Sequence, residues 1–147
     1  MLEQPFTDGV VVLRCPTDDD VAVLVAGRDA EFFSYLGEGS AQPEPTACIV
    51  VRGDVVGWVD FDHERSWLHD DEVNLGYNVF EAHRRRGYAT RAVLLLMELL
   101  RQHTDWQVAT LLIHPDNARS LAVARRSGFV QVGDLDGNPY WKKQIAG

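Results

Sequence analysis

The sequence predicts an α/β protein with a mixed, mainly antiparallel central sheet of six to seven strands and about four helices. Three observations carry that expectation. Residues 46–51 (TACIVV) and 55–62 (VVGWVDFD) are strand-like runs joined by Arg52-Gly53-Asp54, the pattern of a β-hairpin. Residues 87–102 keep apolar side chains at Ala89, Val93, Leu96, Met97 and Leu100, the spacing of a buried helical face. After them strand, helix and paired strands follow one another to residue 145, which together with the antiparallel opening makes a mixed sheet.

In chain order, residues 10–15 (VVVLRC) form a β-branched run ending at Pro16, which supplies no ladder donor and suits a strand end. Thr17 reads as a helix N-cap. Asp18, Asp19 and Asp20 then fill a first turn where the helix dipole favours negative charge, and the helix should run to about Gly27. A shorter helical piece is expected over 29–36, with Phe32, Phe33, Tyr35 and Leu36 on a wide apolar face. Residues 37–45 (GEGSAQPEP) are loop. Beyond the hairpin, an acidic link over 63–71 leads to a third strand in which Val73, Leu75, Tyr77 and Val79 alternate with polar or small residues. The helix after Gly87 carries Leu94, Leu95 and Leu99 outside its main stripe, so it packs on a sheet and is covered from elsewhere. Residues 107–113 (QVATLLI) are the next strand, ended by His114-Pro115. Asp116-Asn117 opens a helix over 117–127, with Arg125 and Arg126 in its last turn and Gly128 as its stop. Two strands, 129–132 and 140–145, joined by a turn-rich 133–139, complete the reading.

A length of 147 residues suits one domain over 1–147. No apolar run approaches the ~18 residues of a membrane span, and the opening MLEQPFTDG lacks the basic-then-apolar layout of a secretory signal, so a cytoplasmic protein off the membrane is expected. The net charge of -8 argues against a nucleic-acid-binding role, which needs surplus Lys and Arg. Cys15 and Cys48 fall in different predicted strands and read as buried free thiols. The histidines show no metal-ligand spacing, so no metal is expected.

The third strand breaks at Glu81-Ala82-His83 and meets three arginines and a glycine, after which the long helix starts at once. Such a turn aims backbone N–H groups and the positive end of a helix dipole at one spot, which suits a phosphate. Arg84, Arg85, Arg86, Gly87, Tyr88 and Ala89 match the signature arginine-or-glutamine, x, x, glycine, x, glycine-or-alanine. Together with LGYNV before them, TRAV after them, and Asn117, Ser120, Gly128 and Phe129 downstream, residues 73–129 resemble the GCN5-related N-acetyltransferase (GNAT) superfamily, in particular its ribosomal-protein N-terminal acetyltransferase (Rim-type) branch. The resemblance implies the acyl-CoA N-acyltransferase fold with acetyl-CoA as co-substrate. It implies that Arg84 to Thr90, with Thr90 the last of the run, hold the pyrophosphate, and that Asn78 and its neighbours Tyr77 and Val79 lie along the reacting end. Asn117 would bond the pantetheine arm or a carbonyl near it, with Ser120 one helical turn on. The plain alternatives are a solvated arginine loop, an N-cap asparagine and a surface serine.

Acetyl transfer from a thioester needs a neutral amine, yet a lysine-type ammonium titrates near ~10.4 and an α-amino group near ~8, so some base takes a proton directly or through water. Glu72 is the candidate base and Asn74 a water-holder. Relatives often carry glutamate where Asn74 stands, and Glu72, Asn74 and Gly76 share one strand face. A backbone N–H of the 77–79 segment would stabilise the oxyanion. Many family members carry a tyrosine seven residues after the asparagine that protonates the departing thiolate. Here that place is Ala124, which leaves Ser120 or solvent. No cysteine or serine–histidine pair lies near the motif, so direct attack in a ternary complex is expected, on a protein N-terminus or a small-molecule amine, by a monomer or homodimer. Asp60, Asp62, Glu64, Asp70, Asp71 and Glu72 form either an acidic rim for a cationic amine or a solvated hairpin end. Trp58, Trp67 and Tyr77 line a pocket or fill the core. The alternative from another class is a non-catalytic acyl-CoA-binding module, motivated by Ala124 and the shifted carboxylate. An RNA-binding domain using Arg84, Arg85 and Arg86 is disfavoured by the negative total charge.

Overall fold

A computed structural model describes residues 2–145, so the outermost residues of the expected 1–147 domain lie outside the described residues. The strands are β1 (Phe6–Thr7), β2 (Val12–Arg14), β3 (Ala47–Val51), β4 (Asp54–Asp62), β5 (Glu72–Val79), β6 (Val108–Leu112), β7 (Val130–Leu135) and β8 (Asn138–Gln144). The helices are α1 (Val21–Ala26), α2 (Ala30–Leu36), α3 (Tyr88–His103) and α4 (Ala118–Arg126). All eight strands form one sheet in the order β1-β2-β3-β4-β5-β6-β8-β7. Every neighbouring pair is antiparallel except β5 and β6.

The alternation in β3 shows how the layers are made. Ala47, Ile49 and Val51 point into a core built with the buried face of α3, while Cys48 and Val50 point the other way and meet Leu24 of α1 and Phe80. All five are buried, so β3 is covered on both faces. Residues of α4, Val123 and Ala124, join the α3 side of the core.

The fold class agrees with expectation, and the differences are local. The sheet has eight strands rather than six to seven, because β1 is too short for its alternation to register in sequence and is defined only by pairing with β2. The helix expected from Thr17 begins as a 3₁₀ turn at Asp18–Asp20 and becomes α-helical at Val21. There Asp20 is drawn inward: Arg14 donates to both of its carboxylate oxygens, at 2.7 and 3.0 Å, and the Thr17 N–H donates at 2.7 Å. Those bonds, led by Arg14, hold the Asp20 carboxyl far below the usual carboxylate range. The turn expected over 133–139 narrows to Asp136-Gly137, both at positive φ, as a tight hairpin requires, and β7 extends to Leu135. Cys48 is buried, and burial first, then the nearby Asp20 charge, push its thiol up to about 11. Cys15 corrects the expectation of two buried thiols. It lies just beyond β2, is exposed, and donates through Sγ to the Leu2 carbonyl at 3.1 Å.

Candidate active site

The parallel pairing of β5 with β6 covers Glu72 with Val108, Val73 with Ala109, and Asn74 with Thr110, and then stops. Both strands continue, so they splay. A cleft of about 560 Å³ opens in the gap, bounded by Gly76, Tyr77, Asn78 and Val79 on one side and by Ile113 and His114 on the other. On its far side β5 stays paired with β4 up to Val79 opposite Gly57. A Cβ on Gly57 would lie 2.1 Å from the Asn78 carbonyl oxygen, so the absent side chain there lets β4 brace the end of β5.

The arginine turn sits at the mouth of this cleft. Arg85 and Gly87 both have positive φ, 66° and 80°, which turns successive N–H groups toward one side, and α3 starts at Tyr88 with no side-chain cap. Among the described residues, no backbone N–H from Arg85 to Thr90 has a partner; the first paired amide is Arg91, which donates to the Gly87 carbonyl at 3.1 Å. Unpartnered donors at the positive end of a sixteen-residue helix are the arrangement that suits an anion. Gly87, Tyr88, Ala89, Thr90 and Arg85 line the cleft.

Two arginines depart from expectation. Arg86 is exposed and does not line the cleft, so its side chain points away although its N–H belongs to the unpaired run. Arg84 lines the cleft but is already engaged: Nη1 donates to Asp29 Oδ2 at 2.6 Å and Nε to the Val79 carbonyl at 2.8 Å. The side chain expected to grip a phosphate is spent on the protein itself.

On the opposite wall Asn117 caps α4, its Oδ1 accepting from the Ser120 N–H at 3.3 Å, and both residues line the cleft. The Tyr77 hydroxyl reaches the same wall. It is buried and has no hydrogen-bond partner among the described residues; burial pushes its pKa up to about 12, with the Ser120 hydroxyl alongside offsetting this in part. The sequence suggested Tyr77 for its backbone and for a pocket wall, but not that its hydroxyl would be stranded beside Ser120.

Glu72 is corrected as the free base. It is 5% exposed and does not line the cleft; Lys142 of β8 donates to it at 2.6 Å and the His69 N–H at 3.0 Å. Burial raises the Glu72 carboxyl, but the His69 and Lys142 bonds outweigh burial and leave it below its ordinary value, a poor proton acceptor. Asn74 accepts from the Thr110 hydroxyl at 2.9 Å and faces a second cavity of about 430 Å³. That cavity lies between α2 and β4 and meets the first along Leu75 and Gly76. Of the expected acidic rim, Asp60 and Asp62 line it and Glu44 joins them, whereas Glu64, Asp70 and Asp71 do not. Trp58 lines it also, and Trp67 lines neither cavity. Asp62 pairs with Arg65 at 2.7 Å. Asp60 stands opposite Gly76, and all of its bonds among the described residues fall on Oδ1, from the Thr46 hydroxyl at 2.6 Å and the N–H groups of Thr46 and Phe61.

Residues 29–130 match the family model described as the acetyltransferase (GNAT) domain. The chain belongs to the GNAT acetyltransferase family. Among solved structures, a GNAT-family acetyltransferase from Bacillus anthracis superposes with a TM-score of 0.80 at 12% identity, covering 97% of this chain and 99% of that one. The aminoglycoside acetyltransferase AAC(6')-Ib, solved with coenzyme A and kanamycin, gives 0.78 at 17% identity over 91% of this chain and 94% of that one. RimL, a ribosomal alpha-N-protein acetyltransferase solved with coenzyme A, gives 0.75 at 17% over 97% and 98%. Comparison with curated proteins gave no match.

Within this GNAT domain the place of the missing tyrosine is closed. Ala124 is fully buried in the core under α4 and opens onto neither cavity. Among the described residues no group of histidine, cysteine and carboxylate side chains is arranged to hold a metal ion, and no helix is long and apolar enough to cross a membrane.

Proposed function

We propose that the chain transfers the acetyl group of acetyl-CoA to a primary amine by direct attack, with the donor in the β5–β6 cleft and the acceptor in the second cavity. The observation that carries this reading is the unpartnered run of N–H groups from Arg85 to Thr90 at the start of α3, which runs back past the amides that any helix start leaves open and fits a diphosphate. The AAC(6')-Ib and RimL neighbours support an amine as acceptor, the first being solved with kanamycin and the second described as an alpha-N-protein acetyltransferase.

In this reading Asp60 takes over the role first given to Glu72. Its Oδ2 is open among the described residues, it faces the Gly76 junction of the two cavities, and it accepts the ammonium proton directly or through a water held with Asn74. The amine lone pair then attacks the thioester carbonyl, whose oxygen meets a backbone N–H of the Tyr77 to Val79 segment; as the C–S bond breaks, the nitrogen gives its second proton to solvent and the amide forms. Ser120 and Tyr77 receive the leaving sulfur. Tyr77, with its pKa pushed up to about 12, stays protonated at neutral pH and acts as a hydrogen-bond donor to the thiolate while solvent completes its protonation.

The test is a thiol-release screen of small amines and peptides with free N-termini against purified protein and acetyl-CoA. Amine-dependent release is expected, reduced by about two orders of magnitude in Asp60→Asn, the scale of losing a positioned base. Tight coenzyme A binding without release for any amine would favour the non-catalytic module instead.

A further inference from the structure

Arg84 differs from the two arginines that follow it. Its side chain is 10% exposed, and besides the two bonds given above Nη2 reaches Asp29 Oδ1 at 3.4 Å and Asn78 Oδ1 at 3.5 Å. Asp29, 55 positions earlier in the chain, is the N-cap of α2, with Oδ1 accepting the Phe32 N–H at 3.0 Å. The Arg84 bond leads the causes that hold the Asp29 carboxyl below its ordinary value despite its burial. Glu31 lies 3.5 Å from Arg84 and is bonded by Arg119 of α4. Helix α2 is therefore strapped at its first turn to the arginine turn, to the end of β5 and to α4.

That helix is the partition between the two cavities, because Phe32 and Leu36 line both. A guanidinium already facing two carboxylates has no uncompensated charge to give a diphosphate, and releasing it would strip two charge-assisted bonds from a half-buried site. We propose that Arg84 is a positioning residue and not a diphosphate ligand: with Asp29 it fixes α2, and so the acceptor wall, against the β5 segment where the acyl carbonyl reacts. The inference rests on the donor-cleft reading above. Loosening the strap lets Phe32 and Leu36 drift relative to Gly76, so the reaction suffers on the acceptor side while the backbone amides still bind the donor.

The experiment is a double-mutant cycle on the full chain with Arg84→Met and Asp29→Asn, the latter keeping an N-cap acceptor for Phe32 while removing the charge. Calorimetry with coenzyme A should show each single variant and the double within about threefold of wild type. Hydrogen exchange across residues 30–36 in the coenzyme-A-saturated protein should quicken about tenfold in either single variant and no further in the double. With an amine from the thiol-release screen, KM should rise and kcat fall, about tenfold in kcat/KM, again without additivity. A loss of coenzyme A affinity of about a hundredfold in Arg84→Met but not in Asp29→Asn would make Arg84 a diphosphate ligand and overturn the proposal. Unchanged exchange in both variants would overturn it equally. Failure of the wild type to bind coenzyme A would instead remove the donor-cleft reading. Glu31→Gln, which leaves the Asp29 bond in place, serves as the check that the fold survives loss of one carboxylate in this cluster.

Discussion

The two ends of β5 carry similar polar side chains and have opposite fates. At the start, Glu72 is buried with a cation from β8 and a backbone donor on its carboxylate, and Asn74 is bonded to Thr110. At the other end, Tyr77 Oη and Asn78 Nδ2 are buried without partners, and the amides that follow in the arginine turn are bare. A fold rarely leaves buried donors unmatched, because each costs about 1–3 kcal/mol. An unmatched buried donor also occurs near the first end, where the Tyr140 hydroxyl stands beside Thr110 and Lys142. What separates a structural end from a functional one is therefore that Glu72 and Asn74 are engaged, whereas Tyr77 and Asn78 lead into the run of bare amides that lines the cleft.

The largest effect is expected from disturbing the brace under the functional end. Gly57→Ala pushes a methyl group against the Asn78 carbonyl, so urea melts should show a loss of about 3 kcal/mol, the upper range of overpacking. A smaller change places a β-branched residue in the left-handed turn: Gly87→Val should cost about 1–2 kcal/mol in the same melts, the strain of a side chain at φ 80°, and should weaken coenzyme A about thirtyfold by calorimetry as the turn shifts and its amides lose their alignment. At the structural end, Glu72→Gln should cost about 1.5 kcal/mol of stability and leave turnover within about twofold. Because the folded Glu72 carboxyl titrates below its ordinary 4.5, its contribution is complete above that pH and is lost as pH falls through the lowered value. The variant should accordingly lose less stability than wild type between neutral and acid pH, measured by melts across that range. If Glu72→Gln instead abolished turnover at unchanged stability, the two ends would have been assigned the wrong way round. The mildest expected effect is Tyr77→Phe, which removes a buried hydroxyl with no partner: stability should hold or rise slightly in the same melts, while thiol release falls about tenfold.

What could be read from sequence follows how local the physics is. The hairpin, the α3 face, the glycine turn and the Asn117 cap depend on residues within a few positions of one another, and each is where the pattern put it. Charges behaved differently. Arg84, Arg85 and Arg86 are equivalent in sequence, yet a carboxylate 55 positions away takes the first and leaves the others exposed. Glu72 looked like a free base until the sheet order brought Lys142, 70 positions on, beside it. Asp60 was legible only as one member of an acidic stretch, because its distinction comes from standing across from Gly76 where the strands splay. Residue type and spacing announce which chemistry is present, and tertiary pairing decides which groups remain available for it.

The most direct measurement follows the amide resonances of Arg85 to Thr90 as coenzyme A is added. Those amides should shift downfield and gain exchange protection together, saturating at one ligand per chain, while the amides around Glu72 stay still. Resonances in the turn that do not move at millimolar coenzyme A would contradict the assignment of the donor site.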